Sequence, residues 1–338
     1  MDITHIAKLS GVSKSTVSRV LNNSKKVNIN TRKKVLKVVE DTGYIPNNIA
    51  RSLKLKKTKT IGVIFPDIGN PFYFEVLRGI EKKLYEEDFN IMLCTSDYDD
   101  NKELTNISLL ASKKVDGIIA APNYENSRGV ALLQKLDIPF ILTDLPQDNL
   151  KTNGIFVDHS KCSCTATDYL IENGHRRIAV ISAKRNADTT SKFVQGYMRS
   201  LSEHGIQVDN SLIVECYPNI YNGYLTIKEL ISNKIDFSAV ITICDLLAIG
   251  VYKAARRFGL KIPEDISIIG NDNIPLSKFL TPPLTTIHQP KILLGYKSAE
   301  LLLRYVQNKD KPKKSHSTVT LDIKLIKRGS VRRKDDKD

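Results

Sequence analysis

The chain has 338 residues, with 51 Lys and Arg against 37 Asp and Glu, a formal charge of +14, and 41% hydrophobic residues. At ~100 to 200 residues per domain this is material for two or three domains, which excludes a small disulfide-stapled scaffold. The balance of charge and hydrophobicity also excludes a disordered or membrane-embedded chain.

Five cysteines are an odd count, and only Cys162 and Cys164 lie close together, so reduced thiols are expected. No apolar stretch reaches the ~18 residues of a membrane helix, and the longest, 239–252, carries Asp245. The opening Met1-Asp2-Ile3-Thr4-His5 lacks the basic-then-apolar order of a secretory signal, which predicts a cytoplasmic protein without membrane contact. Asp158, His159, Cys162 and Cys164 form a conceivable metal set, but Cys-x-Cys places its sulfurs on different helix faces, and neither metal nor cofactor is expected.

Charge is unevenly placed. Residues 1–60 hold 14 Lys or Arg and three acids, a net +11, leaving +3 for the remainder. A compact basic segment is the electrostatic footprint of a nucleic-acid binder, because each neutralised phosphate releases condensed counterions.

Within this head, Ile3, Ile6, Ala7 and Leu9 fall at helical spacing, and Gly11 supplies a sharp turn. Ser13 reads as the N-cap of a second helix from Lys14 to about Leu21, with Val17, Val20 and Leu21 inward. Asn30 or Thr31 caps a third helix running through Asp41 and ended by Gly43. Two helices joined by a Gly-containing turn make a helix-turn-helix, whose second helix presents Lys14, Ser15, Ser18 and Arg19 outward as donors for base edges in the major groove.

The run Ile6-Ala7-Lys8-Leu9-Ser10-Gly11-Val12-Ser13-Lys14-Ser15-Thr16-Val17-Ser18-Arg19-Val20-Leu21-Asn22, with Gly43-Tyr44-Ile45-Pro46-Asn47 and Ala50-Arg51-Ser52-Leu53-Lys54, closely resembles the headpiece of the lactose-repressor/galactose-repressor (LacI/GalR) family of bacterial transcription regulators. The resemblance implies that Lys14, Ser15 and Arg19 read bases while Thr16, Ser18 and Asn22 contact phosphate or support those contacts. It also implies a hinge helix over 47–57, too short to be stable alone, that orders on pseudo-palindromic operator DNA in a homodimer. There Leu53 would wedge into the minor groove, with Asn47, Ala50, Arg51 and Lys54 beside it.

Beyond residue 60 short apolar runs alternate with amphipathic stretches. Runs at 61–65, 91–94, 117–120, 140–142, 178–181, 212–214, 239–243 and 266–269 read as buried parallel strands. Helices are expected at 72–86, 102–112, 162–172, 191–204, 222–231 and 246–258, giving two doubly wound α/β lobes. The chain should cross between lobes near 158–160 and 288–290, and again near a terminal strand at 317–323.

The boundaries expected are a helix-turn-helix domain 1–46, the hinge 47–57, and a core 58–326. The core divides into an N-lobe, about 58–158 plus 290–318, and a C-lobe, about 159–289 plus 319–326. Residues 327–338, rich in Lys, Arg and Asp, read as a disordered tail.

The core is similar to the family's periplasmic-binding-protein-type effector domain through Asn70-Pro71-Phe72, Gly174-His175-Arg176-Arg177-Ile178-Ala179 and Leu280-Thr281-Pro282-Pro283-Leu284-Thr285-Thr286. Carried over position by position, the resemblance implies an effector cleft lined by Asn70, Phe72, Tyr73, Asp144, Asp245 and Asp272. Rings and converging carboxylates suit a sugar or sugar derivative. Asp245 and Asp272 could instead only cap the segments that follow them. Two positions depart from the family's polar clamp, Phe193 for a common Arg and Cys244 for a common Asn. Lys184 or Arg185 could supply positive charge and favour an acidic sugar.

The reading is therefore a non-enzymatic, dimeric DNA-binding regulator, a repressor of a carbohydrate-related operon under allosteric control by a small molecule. The alternative is a catabolite-control-type regulator using a phosphoprotein corepressor, disfavoured by Thr281 where a basic residue is expected. An enzyme would need a nucleophile elbow, metal triad or phosphate loop, and a transport protein would need no basic head.

Overall fold

The computed structural model describes residues 1–22, 24, 26–44, 57–122, 127–144, 153–183, 188–307 and 318–332. The chain divides into two compact units, Met1–Thr58 and Lys59–Asp338.

In the first unit, α1 (Ile3–Ser10) starts where the Asp2 side chain accepts from the His5 amide, and it stops at Gly11, whose φ of 61° lies in the left-handed region. Ser13 caps α2 (Lys14–Leu21) by accepting from Thr16 N at 3.2 Å. Helix α3 (Ile29–Thr42) begins earlier than expected because Asn28, not Asn30 or Thr31, is its cap, accepting from Asn30 N at 2.8 Å. Ile6, Ala7, Val17, Val20 and Val35 are buried where the three helices meet, with Val12, Leu21, Val38 and Tyr44 packed around them.

The second unit holds two six-stranded sheets. The N-lobe runs β1 (Thr60–Phe65), α4 (Pro71–Glu86), β2 (Asn90–Thr95), α5 (Asp100–Ser112), β3 (Gly117–Ala120), α6 (Arg128–Lys135), β4 (Phe140–Thr143) and β5 (Gly154–Val157). The C-lobe continues with α7 (His159–Glu172), β6 (Ile178–Ser182), α8 (Asp188–Glu203), β7 (Ile213–Glu215), α9 (Ile220–Ser232), β8 (Ala239–Thr242), α10 (Asp245–Arg257), β9 (Ser267–Asp272) and β10 (Thr285–His288). The chain then returns through α11 (Lys291–Gln307) and ends in β11 (Thr318–Leu321) and β12 (Lys324–Ile326).

Strand order is β11-β5-β4-β3-β1-β2 in the N-lobe, all parallel, and β12-β10-β9-β8-β6-β7 in the C-lobe, where only β12 runs antiparallel. Such sheets are covered on both faces, hence the continuous burial of β1, β3, β6 and β8. All three passages between lobes leave from β5, β10 and β11, at one edge of each sheet.

Four elements were not among those expected: β5, β10, α6 and α11. Helix α11 lies on α4 at backbone contact. A Cβ on Gly79 would stand 2.0 Å from Ile292 O, and one on Gly295 would stand 1.9 Å from Val76 O. The expected terminal strand is two strands, β11 and β12, one in each sheet.

The tail also begins later than composition suggests. Arg328 Nη1 donates to Leu284 O at 2.7 Å, Gly329 N donates to Pro283 O at 3.0 Å, and Ser330 and Val331 are buried. Residues 327–332 are thus part of the C-lobe, because two small side chains between basic ones fill its floor. Residues 333–338 lie outside the described residues.

Candidate nucleic-acid interface and ligand cleft

With Val17 and Val20 buried, α2 turns Lys14, Ser15, Arg19 and Asn22 outward, and Thr16 and Ser18 sit half-buried at its flanks. Thr16 Oγ1 lies 2.9 Å from the capping Ser13 hydroxyl, and Asn22 Nδ2 donates back to Ser18 O at 2.8 Å. Lys14 and Arg19 are therefore the side chains of this helix with both charge and reach. Lys8, Lys33, Lys34 and Lys37 are also exposed on the unit. The hinge residues Asn47, Ala50, Arg51, Leu53 and Lys54 lie outside the described residues.

In the second unit the carboxyl ends of the strands of both lobes face a cleft of about 240 Å³. Open α/β sheets collect ligands at this end of their strands. Of the residues expected there, Asn70, Phe72, Tyr73, Asp144, Cys244 and Asp272 line it. Asn70 also caps α4, its Oδ1 accepting from Phe72 N at 3.0 Å, which starts that helix with Phe72 and Tyr73 at the wall. Tyr73 stacks on Phe65 at 5.2 Å and donates to Asp144 Oδ2 at 3.1 Å. Burial first, and then the Asp144 charge, push its phenol well above the usual range.

Phe193 and Asp245 are not in the cleft. Phe193 lies on the inward face of α8 with Tyr197 and Leu201, in the core of the C-lobe. The turn of α8 that does reach the cleft carries Thr189 and Thr190. Asp245 is wholly enclosed. Its carboxylate accepts from Thr286 Oγ1 at 2.6 Å, Ile274 N at 2.8 Å and the Ser277 hydroxyl, and a Cβ on Gly270 would press on it. These donors tie α10 to β10 and to the turn Pro275–Phe279, so Asp245 is a structural knot. Burial pushes its carboxyl up to about 6 against those hydrogen bonds.

Asp272, at the end of β9, has φ 119° and its side chain accepts from Gln289 Nε2 at 2.9 Å. Burial, then the neighbouring Asp245 charge, raise its carboxyl well above the carboxylate range, while Lys291 acts in the opposite direction. Cys244 beside it is buried, and burial followed by the Asp272 charge drives its thiol upward.

Several lining residues were not foreseen. Tyr98, Pro122, His159, Tyr217, Asn271 and Gln289 all face the cleft. His159 places Nε2 3.2 Å from Asp144 Oδ1 across the crossing between lobes. Among the described residues, no group of three or more His, Cys, Asp or Glu could hold a metal ion, and no helix is long and apolar enough to cross a membrane. His159 Nδ1, Thr190 Oγ1, Asn271 Oδ1 and Gln289 Oε1 are buried polar atoms that make no hydrogen bond within the protein. Such atoms carry a desolvation cost unless a ligand or water meets them, so their convergence on one cavity marks it as a binding site. No Lys or Arg is among the lining residues described.

A basic helix-turn-helix head joined to a two-lobed α/β core with a polar cleft defines a DNA-binding regulator with a ligand-binding domain. Residues 2–47 match the bacterial regulatory proteins of the lacI family, residues 58–328 match the periplasmic binding proteins and sugar binding domain of the LacI family, and the chain belongs to that family. It is 35% identical to a ribose operon repressor of Haemophilus influenzae over 96% of this chain and 97% of that protein. It is 33% identical to the HTH-type transcriptional repressor PurR of Aliivibrio salmonicida over 91% and 92% of the two chains. The solved structure of a LacI family transcriptional regulator from Enterococcus faecium with bound ribose is 31% identical, covers 81% of this chain and 99% of its own, and superposes with a TM-score of 0.73. The catabolite-control alternative is not favoured by these relatives.

Proposed function

We propose that the protein is a cytoplasmic, non-enzymatic repressor that binds operator DNA as a homodimer and changes its DNA affinity when a neutral sugar occupies the cleft. The observation that carries the effector class is the lining itself: two carboxylates, Asp144 and Asp272, unsatisfied polar atoms, and the rings of Phe72 and Tyr73. Carboxylates accept from sugar hydroxyls, and rings cover the C–H face. An acidic sugar would meet the Asp144 carboxylate with no Lys or Arg among the described lining residues, and Lys184 and Arg185 lie outside the described residues. The ribose-bound regulator and the ribose operon repressor support a pentose.

Residues 1–46 would act as the DNA-binding head and 47–57 as the hinge. In the head, Lys14, Ser15 and Arg19 would read bases, with Thr16, Ser18 and Asn22 in support. Dimerisation follows from paired half-sites, which demand two heads. The exposed apolar residues Phe74 and Tyr85 on α4, Ile292 and Leu293 on α11, and Leu276 and Phe279 in the neighbouring turn offer a surface for it.

The test is selection of DNA from a random pool by the purified full-length protein, followed by titration of the selected duplex with and without D-ribose and other neutral pentoses and hexoses. Preference for a pseudo-palindrome, shifted at least tenfold by one of these sugars, is the expected result. A sequence-indifferent protein, or one whose DNA binding ignores every neutral sugar but responds to acidic ones, overturns it.

A further inference from the structure

Tyr98 and Tyr217 come from opposite lobes, line the cleft together, and meet edge to face, with ring centroids 5.3 Å apart and planes at 83°. This is a favoured geometry for two aromatic quadrupoles. Their position follows from the topology. Tyr98 lies just beyond β2 and Tyr217 just beyond β7, and these are the edge strands of the two sheets farthest from β5, β10, β11 and β12, where the chain crosses between lobes. The crossings form one side of the cleft and the tyrosine pair the side opposite. Tyr217 is 40% exposed while also lining the cavity, so it stands at the rim.

The N-lobe half of the pair is held under strain. Asp97 and Tyr98 have φ of 51° and 58°, a left-handed backbone unusual for two consecutive residues that are not glycine. Three contacts fix the turn: Asp97 N donates to Pro66 O at 2.9 Å, Lys102 pairs with the Asp97 carboxylate, and Asp99 N donates to Ser96 O at 2.9 Å while its side chain caps α5. Strain retained by such over-determination is a mark of ligand clamps.

We infer that the Tyr98–Tyr217 pair is a clasp across the mouth of the cleft, which must part for ligand to enter and which restricts the ligand to a single small ring. The cavity volume of about 240 Å³ lies below the ~300–1,000 Å³ of pockets for larger ligands, and the clasp stands on the side through which a second ring would project. The size limit rests on the sugar reading given above; the clasp does not.

Two cysteines separate the issues. Cys244 lines the cleft and is 5% exposed, whereas Cys162 is fully buried in the core of the C-lobe and does not line it. Iodoacetamide modification of the full-length protein, followed peptide by peptide, is expected to be at least tenfold faster at Cys244 in Tyr98→Ala and Tyr217→Ala than in the unaltered chain. Tyr217→Phe, which keeps the ring contact, should retain the original rate, and Cys162 should stay unreactive throughout. Unchanged Cys244 rates in both alanine variants, or a rise shared by Cys162, overturns the clasp. In calorimetric titrations the unaltered protein should bind D-ribose and reject cellobiose, and Tyr217→Ala should gain cellobiose. Cellobiose bound by the unaltered protein as well as D-ribose overturns the size limit. If neither sugar binds any variant while Cys244 behaves as expected, the clasp stands and the sugar reading falls.

Discussion

Lys291 Nζ lies 3.1 Å from Glu75 Oε2, with 3% and 18% of the two side chains exposed. The same ammonium donates to the carbonyls of Asp272, of Asn273 at 3.2 Å and of Gln289 at 3.4 Å. One cation thus joins α4 of the N-lobe to the C-lobe turn that carries Asp272 into the cleft. Breaking a buried pair from one side strands the other charge, so Lys291→Met should cost about 3 kcal/mol, read from the urea midpoint. Adding Glu75→Gln should restore part of the loss. Independent, additive losses in the double variant would show that the bridge itself contributes nothing.

The contact between α4 and α11 makes a sharper prediction. A methyl on Gly295 meets Val76 O at 1.9 Å, and backbone cannot step aside as a side chain can. Gly295→Ala should therefore separate the helices and cost about 3 kcal/mol, the upper end of ordinary overpacking, lowering Tm by roughly 6–12 °C. A variant melting with the parent would mean that the helices slide at no cost.

These two features show what could and could not be read in the sequence. The head was legible because Gly11, Ser13 and Gly43 are local signals, each acting within four residues of itself, whereas the Asp2 cap of α1 and the Asn28 cap of α3 emerge only in the structure. The buried central strands were legible as unbroken apolar runs. Strand β10 was not, because Thr285, Thr286 and His288 interrupt its apolar pattern; Thr286 and His288 spend their polar atoms on Asp245 and Asn273. In the cleft, residues just after central strands were found, but Phe193 and Asp245 were misplaced. Helix rotation turns Phe193 inward with Tyr197, and hydrogen bonds from Ile274 N, Ser277 and Thr286 enclose Asp245. Tyr98, Tyr217 and Gln289 carry no local signal at all. Their role arises only when two sheets, far apart in the chain, present their edges to one another.

His175 supplies a pH dependence. It is 2% exposed, its Nδ1 lies 2.9 Å from Ser238 Oγ, and burial, then Arg332, lowers its pKa to about 4 from the ordinary 6.5. Between these values the unfolded chain binds more protons than the folded one, so this group's stabilisation is complete above about pH 6.5 and drains away as pH falls towards about 4. Asp245, with its raised carboxyl, acts in the opposite direction over part of that window, so comparison with a variant is needed. His175→Asn keeps an amide near the Ser238 hydroxyl and cannot titrate. Its urea midpoint should fall less than the parent's between pH 7 and pH 5, and parallel curves would show that His175 does not titrate with folding.

On α2 of the head, Arg19 is exposed with a rigid fork of donors suited to the N7 and O6 of guanine, whereas Lys33 on α3 is an exposed point charge. The two should fail differently. Arg19→Ala should lose about 1–3 kcal/mol on the selected duplex and little on unrelated DNA, which relaxes preference at one base position. Lys33→Ala should weaken all duplexes nearly alike and flatten the dependence of log K on log salt by about one unit, the loss of one released counterion. Binding titrations of both variants at several salt concentrations, on selected and scrambled duplexes, separate the roles. If Arg19→Ala lowers the salt slope without changing the ratio between the duplexes, Arg19 holds phosphate and the base reading belongs to Lys14 and Ser15.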